Sequence, residues 1–194
     1  MTKRIQIGSA LIAGVLATTA MAASGLPRVE HFTARAVEST SPARFVFHPV
    51  DIVISRWSTL DDHASLMKAL LEQGPVPYLN LLCGFGPVGT ITMGGRDFPI
   101  RYAWSMEERG GSRRIYLATD EPMSLTTPKF GPFLSHERLT FLELRVNKNG
   151  EGEGKLAEAV MLSVDESRGV IELGNYDRRP LHLVMVRSEL PPED

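Results

Sequence analysis

The clearest pattern in this chain is an alternation of apolar and polar residues between positions 139 and 187. Leu142, Leu144 and Val146 fall on one side of an extended chain, and the two residues between them are charged. A period of two is typical of a half-buried strand, since successive side chains point to opposite faces. Segments of this kind, separated by turn residues, predict an antiparallel meander. They are Leu139–Val146, Leu156–Val164, Val170–Leu173 and Leu181–Val186.

The connection between the first two of these segments, Asn147–Gly154, is rich in glycine. Asn149 and Gly150 suit a tight hairpin, because both tolerate a positive φ. The further glycines favour a longer, bulged connection equally well. Oxygen-bearing side chains also recur at every second residue, as they do in calcium loops. The stretch lacks aspartate and a distal acidic ligand, so a solvated hairpin loop is the favoured interpretation.

Strand-like segments also occupy much of the first two thirds of the chain. Val29–Val37 alternates loosely and predicts a first strand, followed by a turn at Glu38–Pro42. Phe45–Trp57 predicts a longer strand with a bulge or break at His48–Pro49. There the parity of the apolar residues changes, and proline cannot donate to a sheet ladder. Three more strands are predicted, at Val88–Thr92, Phe98–Trp104 and Arg113–Thr119.

One region has helical spacing instead. Ser58 is a good N-cap residue, and Asp61 three positions later completes a capping-box-like pair. Gly74 ends the helix, and a second, short helix is expected from near Pro77 to Gly84 or two residues beyond. The apolar face of the first helix comprises Leu60, Ala64, Met67, Leu70 and Leu71.

Together these elements predict a mainly β (α+β) fold. We expect an antiparallel β-sandwich or open barrel of roughly eight or nine strands, with an αα-hairpin inserted near residues 58–84. The single cysteine, Cys83, cannot form an internal disulfide. Its apolar neighbours favour a buried small hydrophobe over a reactive thiol.

The N-terminus has the pattern of a secretory signal peptide. Lys3 and Arg4 precede an uncharged, mostly apolar run, and small residues at Ala20 and Ala22 suit a signal peptidase. The run spans about 20 Å as a helix, too short for a bilayer core of about 30 Å. We therefore expect cleavage of residues 1–22 and a single β-rich domain over 23–194. The product would be soluble and exported, periplasmic or extracellular, with no stable membrane span.

Net charge narrows the range of partners. Loss of residues 1–22 removes two basic residues and no acidic ones, so the formal charge moves from −2 to −4. A mildly acidic chain gives no electrostatic reason to bind nucleic acid. The expected partner is an unidentified protein or small ligand.

Motifs that would assign a chemistry do not occur. The sequence contains no G-x-S-x-G elbow, phosphate-binding glycine loop, zinc-type Cys/His spacing or H-E-x-x-H helix. Asp61-Asp62-His63 lies in a first helical turn, where acidic residues complement the helix dipole, so a metal or acid–base role is disfavoured. No catalytic residue, metal ligand or cofactor is predicted.

The best candidate for ligand binding is a group of arginines. Arg101 and Arg113 are expected on neighbouring strands, where they would form a small basic patch with Arg114, close to Asp120. Such a patch would hold an anionic ligand. The alternative is that these arginines pair with nearby carboxylates, Asp97, Glu107, Glu108 or Asp120, which is the commoner fate of surface arginines.

Several motifs resemble those of an uncharacterised family of exported bacterial proteins, and the resemblance extends over most of the mature chain. It implies export and one compact domain, and it implies no activity. The motifs are Arg56-Trp57-Ser58-Thr59, Ile100-Arg101-Tyr102-Ala103, Gly110–Ile115 running to Thr119–Pro122, Gly152-Glu153-Gly154-Lys155 and Ile171–Tyr176.

Two functional classes follow from the sequence. The first, which we favour, is an exported module that binds a protein, glycan or small ligand without catalysis. The second is an extracytoplasmic hydrolase with a site near the irregular 120–135 loop. That loop is long for a compact domain, which is often a functional feature, and Phe130 and Phe133 are candidates for its exposed surface or for a cap on the core.

Overall fold

The computed structural model describes residues 29–41, 44–123, 139–157, 161–165, 170–174 and 180–189. The strands in these ranges are β1 (Glu30–Ser41), β2 (Arg44–Ile54), β3 (Gly89–Met93), β4 (Arg96–Ile100), β5 (Tyr102–Glu107), β6 (Arg113–Thr119), β7 (Thr140–Val146), β8 (Glu151–Ala157), β9 (Met161–Asp165), β10 (Val170–Gly174) and β11 (Leu181–Glu189). The helices are α1 (Leu60–Gln73) and α2 (Pro75–Gly84). The signal-peptide prediction lies outside the described residues.

Nine of these strands form one antiparallel sheet in the order β4-β3-β2-β1-β11-β8-β7-β6-β5. Its two edge strands, β4 and β5, are separated in the chain only by Arg101. The Val88 N–H donates to the Ile100 carbonyl at 2.7 Å, and the Arg101 N–H donates to the Ala118 carbonyl at 2.9 Å. Because adjacent residues join opposite edges of the sheet, it curls into a nearly closed barrel. The predicted mainly β fold with a helical hairpin is confirmed, in its barrel-like form.

The core lies on the inner face of this sheet. All nine strands contribute buried apolar side chains to one cluster, which includes Phe32, Ile52, Phe98, Ile115 and Leu144. Each of these is fully buried, so the interior is packed with side chains as in small barrels generally.

The helical hairpin packs on the outer face of β5 and β6. Leu66, Leu70 and Leu82 form a second buried cluster with Tyr102 and Ala118 of those strands. The face predicted for α1 is therefore partly wrong, since Leu60, Ala64 and Leu71 are exposed. Stacking against an already curved sheet selects this face, and the choice depends on tertiary packing that sequence spacing does not reveal.

The start of α1 differs by one residue from the prediction. Thr59 is the N-cap, and it exchanges hydrogen bonds with Asp62 in a complete capping box. Ser58 is instead buried, where its Oγ accepts the Ala103 N–H at 3.1 Å. The helix ends before Gly74, as expected, at a φ of 88°. Cys83 is exposed at the end of α2, so the prediction that it is buried is wrong.

The C-terminal meander is only partly correct. The predicted strand Leu156–Val164 does not exist as one element, because β8 ends at Ala157 and β9 begins at Met161. β9 and β10 form a separate two-stranded hairpin, so β8 pairs with β11 instead of with β9. The chain therefore forms the β9–β10 hairpin between β8 and β11, which are neighbours in the main sheet.

The glycine-rich connection is mostly strand. The Asn147 N–H donates to the Glu151 carbonyl at 2.8 Å, and Gly150, at a φ of 76°, donates to the Asn147 carbonyl. This is a short turn with a glycine bulge, and β8 begins directly after it. Among the described residues, no group of three His, Cys, Asp or Glu side chains is placed to hold a metal ion.

The β1–β2 hairpin differs most from its prediction. β1 continues to Ser41 through the predicted turn, and β2 runs without a bulge through His48 and Pro49, which pair regularly with Ala36 and Arg35. The change in apolar parity has another cause. Phe45 and Phe47 point outward and are 58% and 52% exposed, whereas Val50, Ile52 and Ile54 point into the barrel. The predicted strand Phe98–Trp104 is also divided, into β4 and β5 at Arg101.

Candidate functional site

Arg101 and Asp120, two of the predicted ligand-binding residues, form an ion pair. The Arg101 Nε donates to Asp120 Oδ1 at 2.9 Å, and its Nη1 donates to the Phe85 carbonyl at 3.1 Å. Both side chains are mostly buried. The pair connects the junction of β4 and β5 with the end of β6 and the end of α2, so its charges are engaged in holding these elements together.

Arg113 belongs to a different cluster. Its Nη1 and Nη2 donate to the two oxygens of Glu30 at 2.9 and 3.3 Å, and its guanidinium lies 5.5 Å from the centre of the Trp57 ring. The Trp57 Nε1 also donates to Glu30, at 3.0 Å. Glu30 is only 8% exposed. This cluster joins the start of β1, the end of β2 and the start of β6.

Arg114 lies on the opposite, outer face of β6. It contacts Glu108 and lies 3.6 Å from Glu143 and 3.5 Å from the Tyr116 hydroxyl. A cavity of about 380 Å³ next to it is lined by alternating charges, including Arg145, Glu153 and Lys155. Both arginines here form ion pairs with glutamates, so their charges are already engaged within the protein.

The predicted arginines do not form one patch. Arg101 precedes Tyr102, which pairs with Ala118, whereas Arg113 pairs with Glu107 at the far end of the same strand pair. At about 3.3 Å per residue, the ends are roughly 20 Å apart. The structure unites Arg101 with Asp120 and places Arg113 beside Arg114 on opposite faces. The part of the 120–135 loop that contains Phe130 and Phe133 lies outside the described residues.

A larger cavity, of about 540 Å³, lies on the outer surface of the sheet. It crosses β11, β1 and β2 and reaches the turn between β3 and β4. Outward-facing side chains form its walls; we call it the arginine groove. They include Arg35, Pro49, Asp51, Thr92, Met185 and Arg187.

Two exposed arginines define the electrostatics of the arginine groove. Arg35 and Arg187 are exposed, and neither forms a salt bridge or side-chain hydrogen bond with any residue that the structure describes. Arg187 lies opposite Thr33, and Arg35 is the next outward-facing residue of β1. The strand register shifts between these two positions, and both side chains line the same cavity.

The carboxylate in the arginine groove is already paired. Asp51 Oδ1 lies 2.5 Å from His31 Nε2, and His31 Nδ1 lies 2.8 Å from Glu189. The hydrogen bond to Asp51 is the main cause that raises the pKa of His31 above its usual 6.5; partial burial opposes it, and the charges of both carboxylates add to it. Asp51 is therefore held by His31 rather than by either arginine.

A bulge in β11 shapes one wall of the arginine groove. The register of β11 shifts between Leu183 and Val186, and Met185 there has a φ of 54° and is 68% exposed. A left-handed backbone at a residue other than glycine is strained, and such strain persists only where the surrounding structure holds it. Bulges often redirect side chains beside functional sites. Here the bulge places an apolar side chain next to the two arginines.

A second histidine is enclosed between helix and sheet. His63 stacks on Trp104 at 4.5 Å between ring centroids, and its Nδ1 lies 2.6 Å from the Tyr102 hydroxyl. Burial lowers the pKa of His63, and burial raises the pKa of Tyr78 to about 12. The ring stacking and the hydrogen bond to Tyr102 connect α1 to β5, so this cluster anchors the helical hairpin on the sheet.

No local pattern in the sequence predicts the arginine groove. Arg35 and Arg187 lie more than 150 positions apart in the chain and belong to no motif. The alternation in the sequence does indicate that both arginines point outward, because each is next to a residue that is buried, Ala34 or Val186. Their proximity depends on the pairing of β1 with β11, which local patterns do not specify.

Comparison with protein-family models finds no family that matches the chain, and no curated protein or solved structure matches it significantly. The resemblance to exported bacterial proteins therefore stays a prediction. Among the described helices, none has the length and apolar character needed to cross a bilayer.

The His31 cluster gives a pH-dependent expectation. Because the folded protein raises the pKa of His31, its contribution to stability is complete below pH 6.5 and is lost as the pH rises through the raised pKa. His31→Gln should therefore lower the free energy of unfolding at pH 5.5, by less than about 1 kcal/mol because the pair is partly exposed. At pH 9 the variant and the parent should unfold at the same urea concentration. A larger loss at pH 9 than at pH 5.5 would contradict the assignment.

Proposed function

We propose that this protein is an exported, non-catalytic module that binds an organic anion in the arginine groove. The observation that carries this proposal is that Arg35 and Arg187 are exposed, line the same cavity on the outer surface of the sheet and form no salt bridge with a described residue. Because the barrel interior is packed with side chains, we expect a ligand to bind on the outer surface and not inside the barrel.

The chemistry of the groove specifies the ligand class. Arg35 and Arg187 would form charge-assisted hydrogen bonds with a carboxylate or phosphate, and arginine suits both groups because of its planar, forked donors. Pro49 and Met185 offer apolar contact beside them, and the Thr92 hydroxyl lies further along, where it donates to Asp97 at 2.7 Å. A volume of about 540 Å³ is within the range for small-molecule sites. The best match is an anion with a short carbon skeleton.

Titration calorimetry tests this proposal with hexanoate, galacturonate and glycerol phosphate as probes. At least one of the three should bind to the parent protein. Arg35→Gln and Arg187→Gln should each weaken its binding about tenfold, since a hydrogen bond to a charged group contributes about 1.5–3 kcal/mol. The double variant should not bind measurably.

Arg56→Gln is the matched control. Arg56 is an exposed arginine beyond the other end of β2, outside the residues that line the arginine groove. Its replacement removes the same formal charge and should leave the affinity unchanged. Equal losses for Arg56→Gln and Arg35→Gln would mean that net charge, and not this groove, attracts the anion. Failure of all three probes to bind would contradict the proposed ligand class.

Export is the second part of the proposal, and it rests on the N-terminal pattern of residues 1–22. Expression of the full chain in a bacterial host should yield a product in the fraction outside the inner membrane. Its mass should be that of a chain that begins at Ala23. An uncleaved chain in the cytoplasmic fraction would contradict export without affecting the binding proposal.

A further inference from the structure

One edge of the sheet is left without a partner strand. β2 pairs with β1 along its whole length, but it pairs with β3 only from Val50 to Ile54. Within the part of the chain that the structure describes, no strand pairs with residues 44–49 on the β3 side. An unpaired edge presents rows of free N–H and C=O groups, which form a template for another strand.

The direction of the backbone groups along this edge follows from the neighbouring ladder. The Ser55 N–H donates toward β3, to the Val88 carbonyl at 2.9 Å. In an antiparallel ladder, alternate residues point to the same neighbour. Counting back from Ser55 in steps of two, the backbone groups of Pro49, Phe47 and Phe45 also face the β3 side. Pro49 has no N–H, so the free donors of this edge are those of Phe45 and Phe47.

The side chains of this edge are equally unusual. Phe45 and Phe47 lie on the same outward face and are more than half exposed. Natural edge strands are usually protected by charged residues, by proline or by a covering segment. Among the described residues 45–49 of this edge, Pro49 provides such protection at one end, and two large aromatic side chains flank the open donors.

We propose that this edge pairs with the same edge of a second copy of the chain, in an antiparallel two-fold arrangement centred on Val46. The sequence is self-complementary in this register, because Phe45 of each copy lies opposite Phe47 of the other. All N–H and C=O groups of these two residues are then paired across the interface. Cross-strand aromatic pairs stabilise such a ladder further.

Symmetry and geometry favour a second copy over an unrelated peptide. A two-fold interface requires a patch that matches itself, and this short strand does so in both backbone and side chains. The contact is short and buries less than the roughly 1,200 Å² of a standard interface, so the dimer is weak and depends on concentration.

Sedimentation velocity from 5 to 500 µM tests for the dimer. The weight-average sedimentation coefficient of the parent protein should rise with concentration. Phe45→Pro should raise the dissociation constant about tenfold or more, because it removes a donor that only the second copy uses, twice in each dimer. Leu60→Thr, which removes an equally exposed apolar side chain from α1, should leave the dissociation constant unchanged.

Hydrogen exchange identifies the contact itself. On dilution from 500 to 5 µM, the amides of Phe45 and Phe47 should exchange faster, whereas those of Val46 and His48, which face β1, should not change. A protein that stays monomeric at 500 µM overturns the proposal. So does a dimer whose concentration-dependent protection lies elsewhere, or one that Phe45→Pro leaves intact while Leu60→Thr weakens it.

Discussion

Replacement of Glu30 by alanine is expected to lower the free energy of unfolding by about 3 kcal/mol, since removal of one member of a buried ion pair leaves the other uncompensated. Glu30 accepts two hydrogen bonds from Arg113 and one from Trp57. Without the carboxylate, both donors lose their acceptor in a region where water replaces it poorly. Urea denaturation of the variant and the parent at pH 7 measures the difference.

A double replacement separates the ion pair from the general effect of truncation. Glu30→Met should be nearly as destabilising as Glu30→Ala, because Arg113 stays unpaired. Glu30→Met combined with Arg113→Met should recover part of the loss, since well-packed apolar residues often replace a buried ion pair at little cost. If Glu30→Ala lowers the unfolding free energy by less than about 1 kcal/mol, the cluster behaves as a solvent-screened surface pair.

Gly152→Ala is expected to be the most disruptive single methyl addition in β8. A Cβ at this position would lie 1.7 Å from the Arg145 carbonyl oxygen, and the obstacle is backbone, which cannot rotate away. β7 and β8 would have to separate where Val146 pairs with Gly152. We expect a loss of about 3 kcal/mol or more in the free energy of unfolding, or failure to fold.

Gly84→Ala provides the control for this substitution. A Cβ on Gly84 meets nothing within 4 Å, and the residue lies at the end of α2. The change should be neutral or slightly stabilising, because alanine favours helix more than glycine does. Thermal melts of both variants test the contrast. Equal melting temperatures for Gly152→Ala and the parent would mean that β7 and β8 do not approach this closely.

Gly152 also illustrates where interpretation of the sequence failed. Its position among Asn, Glu and Gly residues favoured a loop, because glycine is common in turns. In the structure it is a strand residue whose missing side chain lets two strands approach closely. Only Gly150 in this stretch is used for its positive φ. Composition does not distinguish these two uses of glycine.

The phenylalanines of β2 show a second kind of failure. The prediction assumed that Phe45 and Phe47 are buried, and it therefore needed a break at Pro49 to restore the alternation. The strand is regular, and the aromatic side chains are exposed instead. Hydrophobic periodicity identifies the inner face of a strand correctly only where the apolar residues are buried in the core. At the unpaired end of β2, the same residue type points outward.

The predicted basic patch failed for a related reason. Arg101 and Arg113 do lie on neighbouring strands, but antiparallel pairing places them at opposite ends, and each has its own carboxylate. The sequence analysis had named Asp120 as a possible partner of the arginines, and that pairing is confirmed. It did not foresee Glu30, which is 83 positions from Arg113.

The sequence by itself determined the local elements: alternating strands, a capped helix that ends at Gly74, and a second helix directly after it. These depend on contacts between residues that are close in the chain. The tertiary structure alone decided that β1 lies beside β11, that β4 and β5 nearly close the barrel across Arg101, and that Arg35 and Arg187 are neighbours on its surface. Pairings over such separations are set by closure of the whole sheet, a constraint that no local segment of the chain contains.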